Sequence, residues 1–216
     1  MRSKLAERLA RRQLIPILGP QFAVKGRMVH HTHLDWLLRA LMFEDTGDPG
    51  GENFYFWVFV QPLYHPAQYV TLSIGHRLGG KAWQLDDGGL PPALVETAAS
   101  EGLRFLNRIE QPVDLASYLQ EDALREAPEN ALLREDAAYS LLLAGDTAGA
   151  ADHLARIEAA YEDRTPSYDS ERELLARIAS MRAAMQESGD APVRLLRRYR
   201  NETVAHLGLG SAPEMN

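Results

Sequence analysis

Phe54-Tyr55-Phe56-Trp57-Val58-Phe59-Val60 is the stretch on which the fold turns. Aromatic and β-branched side chains stand at adjacent positions, which suits a pleated strand far better than a helix. A run that is apolar on both faces reads as a central strand, and Pro62 ends it. Alternation puts Tyr55, Trp57 and Phe59 on one face, with Phe54, Phe56, Val58 and Val60 on the other.

Strands extend on both sides of it. Downstream, Tyr69-Val70-Thr71-Leu72-Ser73-Ile74 alternates and reads as the next strand, and Asp86-Asp87-Gly88-Gly89 closes the β-rich half. Upstream, Asp45 to Gly51 has the composition of a turn. Residues 34–43 suit either period. Leu34, Leu37, Leu38 and Leu41 fit a helix; Trp36, Leu38, Ala40 and Met42 fit a strand. Strand is expected, because a sheet needs partners. Val24 to Val29 reads as a short strand with a turn in it, and residues 3–13 as an amphipathic helix stopped by Pro16, Gly19 and Pro20.

From Pro91 onward the pattern is helical. Starts are expected at Pro92, Pro112, Pro128, Thr147, Thr165-Pro166 and Pro192, with Gly208 as the last stop. Ala138-Tyr139, Leu142, Ala144-Gly145-Asp146, Ala150-Ala151 and Leu154 resemble one tetratricopeptide hairpin. A stable solenoid needs at least about three repeats, and one copy stands here. The expected fold class is α+β: an N-terminal helix and antiparallel β-sheet, then a C-terminal helical bundle with a tetratricopeptide-like hairpin. The expected division is 1–90 for helix and sheet, 91–210 for the helical region, and 211–216 as a loose tail.

Composition narrows the chemistry. The 216 residues include no cysteine, which removes disulfides, thiolate catalysis and sulfur-ligated zinc. No apolar segment follows the basic N-terminus and no run is long enough to span a bilayer, so neither a secretory signal nor a membrane partner is expected, and a cytoplasmic setting is. The net charge is −7. Residues 1–90 hold 10 Lys/Arg and 8 Asp/Glu (+2); residues 91–216 hold 13 and 22 (−9). An acidic helical half repels a phosphate backbone, so nucleic acid is a poor partner except at the basic first turns.

Gly75-His76-Arg77-Leu78-Gly79-Gly80-Lys81 has the glycine and lysine spacing of a phosphate-binding loop. The chemistry also needs a Ser or Thr after the lysine and a helix start; Ala82 and an anionic, glycine-rich run follow instead. The segment reads as a glycine-rich hairpin turn. His30, His31 and His33 gather near Asp35, a compositional hint of metal binding without a helical HExxH pairing. His65 and His76 are candidate general bases, weighed against ordinary loop histidines. Arg194, Arg197, Arg198 and Arg200 read as a solvated or ion-paired helix face. No paired-carboxylate spacing stands out. Tyr55, Trp57, Phe59, Tyr64, His65, His76 and Arg77 are the candidate interaction or pocket residues; no catalytic residue, cofactor or metal is assigned.

Phe54 to Tyr64 and the following Gly75-His76-Arg77-Leu78-Gly79 resemble bacterial proteins of the domain-of-unknown-function family 4304. Phe22-Ala23-Val24-Lys25-Gly26-Arg27 and Arg200 to Leu209 share that likeness, which lies mostly in the first 80 residues. The long helical half departs from it. The resemblance implies no established activity; some such proteins are suspected of serving beside toxins as immunity factors. The reading is a non-enzymatic protein-interaction or immunity-like factor whose acidic half takes a basic protein partner. The alternatives are a hydrolase or transferase with a histidine site near the sheet, and a helical-repeat peptide-binding module.

Overall fold

The computed structural model describes residues 1–47, 53–163, 165–187 and 189–210. The chain forms an α+β protein with two compact units. Residues 1–61 and 70–110 make the first; residues 62–69 and 111–210 lie in the second. The division therefore falls at 110, not at 90. The helix after Pro91 stays with the sheet because its buried residues pack there: a Cβ on Gly102 would meet Leu41 and Leu78. The expected turn at 45–51 and the tail at 211–216 lie largely outside the described residues.

The first unit holds helix α1 (residues 3–18), strands β1 (Phe22–Lys25), β2 (Met28–His31), β3 (Leu37–Asp45), β4 (Asn53–Pro62), β5 (Gly75–Arg77) and β6 (Trp83–Gln84), and helix α2 (residues 92–108). The strands form one antiparallel sheet in the order β1-β2-β3-β4-β5, with β6 also on β4. β4 is thus an inner strand paired on both sides, and the strand expected over 34–43 runs from Leu37 to Asp45. Phe54, Phe56, Val58 and Val60 are buried, and Phe43 stacks on Phe54 and Phe56 at 5.5 and 4.6 Å. Tyr55 and Trp57 on the opposite face are half-buried, while Phe59 is fully buried.

Helix α1 runs through Pro16 rather than stopping before it. A π-helical turn at Ala10–Leu14, in which Ile15 N–H bonds back to Ala10 O, widens the helix where proline cannot donate. The strand expected at 69–74 is displaced. Only Gly75–Arg77 pairs with β4, and residues 70–74 are irregular, held by Gln61 Oε1 accepting from Thr71 N–H at 3.0 Å. The segment 62–69 just before them belongs to the other unit, so the chain re-enters the sheet only at Ile74, whose carbonyl accepts from Val60 N–H.

Residues 78–82 are not a hairpin turn. β5 and β6 pair with the same side of β4 in the same direction: Phe59↔Gly75, Val58↔His76 and Trp57↔Arg77, then Phe54↔Trp83 and Asn53↔Gln84. They are two halves of one interrupted strand, and the residues between form a bulge closed by Trp83 Nε1–H donating to Leu78 O at 2.9 Å. Gly75 is required by close approach: a Cβ there would lie 2.3 Å from Val58 O.

The second unit holds α3 (residues 112–126), α4 (Ala131–Leu143), α5 (Thr147–Ala160), α6 (Asp169–Gln186) and α7 (Ala191–Leu207). α4 starts three residues after Pro128 because Asn130 is the cap, its Oδ1 accepting from Leu132 and Leu133 N–H at 3.1 and 3.2 Å. α6 starts at Asp169 rather than at Pro166, since Glu171 reaches back to Ser167 and Tyr168 N–H. α4 and α5 form a packed helical hairpin whose turn ends on Asp146, which caps α5 through Gly149 N–H at 2.9 Å. Ala137, Ala138, Ala150, Leu154 and Ile157 fill it. α7 ends on Gly208 in the left-handed conformation.

Candidate functional site: a buried charge quartet and an aromatic sheet face

Helix α4 is buried almost all round, from Leu133 to Leu142. Two adjacent carboxylates, Glu135 and Asp136, therefore lie inside the helical unit, Glu135 with no exposed side-chain surface. Burying a carboxylate demands a partner. Arg177 of α6 supplies one as a fork, its Nε and Nη2 donating to Glu135 Oε1 and Oε2 at 2.7 and 2.8 Å. Tyr139 O–H donates to Glu135 Oε1 at 2.9 Å. His65, on the segment 62–69, places Nδ1 at 2.8 Å from Asp136 Oδ1 and Nε2 at 3.5 Å from Glu135 Oε2 and 3.4 Å from Arg177 Nη2.

Neighbouring bonds fasten the segment. Tyr64, fully buried, bonds to Ser140 Oγ at 2.5 Å, and Ser140 donates to Asp136 O at 2.7 Å. Thr203 of α7 donates to His65 O at 3.1 Å and accepts from Ala67 N–H at 3.2 Å. Segment 62–69 is thereby tied to side chains on α4, α6 and α7.

Burial pushes the His65 imidazole down, but the charges of Asp136 and Glu135 and the Asp136 hydrogen bond outweigh it, and the net shift is upward. Burial raises the Asp136 carboxyl, and the net shift stays upward although the His65 charge and hydrogen bond oppose it. The Tyr64 and Tyr139 phenols are raised by burial beside these carboxylates and stay neutral. With His65 protonated, two carboxylates face one guanidinium and one imidazolium and the charges cancel. Both ring nitrogens face protein groups. Through these contacts His65 fastens the segment 62–69 to α4 and α6.

The remaining candidates lie in the first unit. Arg77 pairs across from Trp57 and lays its guanidinium over Tyr55 at 3.6 Å and Trp57 at 5.0 Å. Glu44 completes the group, accepting from Trp57 Nε1–H at 2.8 Å and lying 3.6 Å from Arg77. His76 points to the other face, with Nε2 2.9 Å from Glu101 Oε1 and its ring edge-on to Phe105 at 5.1 Å. Phe59 is buried. The seven candidates thus fall into four settings: Tyr55, Trp57 and Arg77; Phe59, buried in the sheet; His76 with Glu101; Tyr64 and His65 in the helical unit.

His30 is buried in β2, His31 Nδ1 accepts from His33 N–H at 3.2 Å, and His33 lies beyond the strand end. Among the described residues no group of three His, Asp or Glu side chains is placed to hold a metal ion. No described helix is long and apolar enough to cross a membrane. In the arginine run, Arg194 pairs with Asp190 and Arg198 with Glu202, while Arg200 is buried. Sequence reasoning missed Glu135, Asp136 and Arg177. The apolar, non-periodic run Ala137-Ala138-Tyr139-Ser140-Leu141-Leu142 was the available signal: a helix apolar all round is central, and its carboxylates need internal partners. No family model matches the chain, and no curated protein or solved structure matches it.

Proposed function

We propose that the chain is a non-enzymatic interaction protein whose helical unit receives a protein with a basic surface. One observation carries this reading. Residues 62–69 and 111–210 contain 18 Asp/Glu against 11 arginines and no lysine, a balance of −7, whereas residues 1–61 and 70–110 hold 11 against 12. The excess negative charge is concentrated in one folded unit, where it steers a positive partner and rejects anionic ones. The occupied nitrogens of His65 support a binding role over histidine catalysis. The likeness to family 4304 adds a partner class, a basic toxin, and the absence of cysteine suits a reducing cytoplasm.

Affinity capture from host extract at low salt tests the proposal. The expected result is a basic protein retained at low ionic strength and released at high salt. A variant with exposed Glu162, Asp163 and Glu173 replaced by Gln, Asn and Gln should retain less of it. Capture that survives high salt, or that is unchanged in this variant, would overturn the reading.

A further inference from the structure

We infer that the outer side of α1 and the groove beside it form a docking surface for an acidic amphipathic helix of a second protein. This surface lies in the sheet unit, has the opposite sign to the helical unit, and stands independently of the function proposed above.

The charge comes first. The first 34 residues hold seven Lys/Arg and one carboxylate, Glu7. Glu7 is spent on Arg11, whose Nη2 lies 2.8 Å from Glu7 Oε1 and also donates to Val24 O at 3.1 Å. Lys4, Arg8 and Arg12 are exposed and have no ion-pair partner among the described residues. Their i, i+4, i+8 spacing makes a cationic row on one side of the helix about 12 Å long. A partner helix with glutamates at i and i+4 presents the same spacing.

The groove decides between kinds of anion. A shallow depression of about 460 Å³ lies between α1 and α2, lined by Ile17, Leu90, Pro92, Val95 and Ala99 with Gln13 and the carboxylate Glu96, so it takes the partner's apolar side chains while its glutamates lie over the Lys4, Arg8 and Arg12 row. Ile17 is 50% exposed, although α1 buries Ala6, Leu9, Ala10 and Leu14 in the core. A sugar–phosphate strand offers no aliphatic side chains to such a groove. A lipid surface is flat, and the apolar stripe of α1 that would enter it already faces the core. An amphipathic helix supplies both the carboxylates and the apolar residues.

The experiment uses the full chain and labelled probes at low salt. One probe is a designed helical peptide with glutamates at i and i+4 beside a leucine stripe. The second has the leucines replaced by serine. The third is a single-stranded oligonucleotide and the fourth a phosphatidylserine vesicle. The leucine–glutamate peptide should bind best. Arg8→Glu/Arg12→Glu should weaken it by about tenfold. Ile17→Ser should weaken the leucine–glutamate peptide while leaving the serine version unchanged. Circular dichroism and the milder Arg8→Ala/Arg12→Ala pair control for folding. The inference fails if both peptides bind equally, if the oligonucleotide or vesicle binds more tightly, or if the charge reversal has no effect in a folded variant.

Discussion

His65 Nδ1 and Asp136 Oδ1 stand 2.8 Å apart across 71 positions of chain, joining a short irregular segment to the centre of the helical unit. The bond does its work together with the Glu135–Arg177 fork. Remove any one charge and the other three no longer balance in a place water barely reaches.

The first prediction concerns pH. The folded-state pKa of His65 is raised, so its contribution to stability is fully present below the unfolded value of about 6.5 and is lost as pH rises through the folded value. His30, His31 and His153, lowered by burial, act with the opposite sign: their contribution is present above about 6.5 and lost as pH falls below it. The stability difference between the native chain and His65→Gln isolates the effect. Urea denaturation followed by far-ultraviolet circular dichroism should show that difference shrinking as the solution becomes alkaline.

Arg177→Met leaves the fully buried Glu135 without its cation. A loss of about 3–5 kcal/mol is expected, as for other broken buried pairs. The double variant Arg177→Met/Glu135→Leu should recover much of it, because an apolar pair needs no counter-charge. Equal urea midpoints for the single variant and the native chain would contradict the account.

Gly75→Ala should destabilise the sheet unit by about 1–3 kcal/mol. The new methyl would meet the Val58 carbonyl on the central strand, which has no room to retreat. Trp36, Trp57 and Trp83 all belong to this unit, so tryptophan fluorescence during urea denaturation reads the change directly.

Replacing Arg77 tests the stack on Tyr55 and Trp57. Arg77→Ala should cost about 1 kcal/mol, the scale of an exposed cation–π contact. Arg77→Lys should restore only part of it, since an ammonium cannot lie flat on the ring as guanidinium does. Trp57 emission in the folded variants provides a second readout.

Elements with a strong local cause were legible in the sequence. β4 was plain from Phe54 to Val60, and a strand over 34–43, observed at 37–45, followed because β4 needs neighbours. Element ends were harder, because they depend on side chains that reach backwards: Asn130 and Glu171 moved two helix starts past the prolines that suggested them. Alternation at 69–74 promised a strand, yet the pairing β4 offers there is taken up only from Gly75. The charge quartet was hidden for another reason. Its members come from positions 65, 135, 136 and 177, and no local pattern links a histidine in one segment to carboxylates 70 positions on. Burial of α4 was readable; the identity of what neutralises it was a matter of tertiary packing.

The division into units also sorts the chain by reagent. Lys4, Lys25 and Lys81 are its lysines, and all three lie in the sheet unit, while the helical unit carries its positive charge on arginine alone. Amine-directed dyes and cross-linkers will therefore mark the sheet unit and leave the helical unit untouched. Any cross-link from a lysine of this chain to a partner reports proximity to the sheet unit, and mapping contacts on the helical unit calls for carboxylate- or guanidinium-directed chemistry instead.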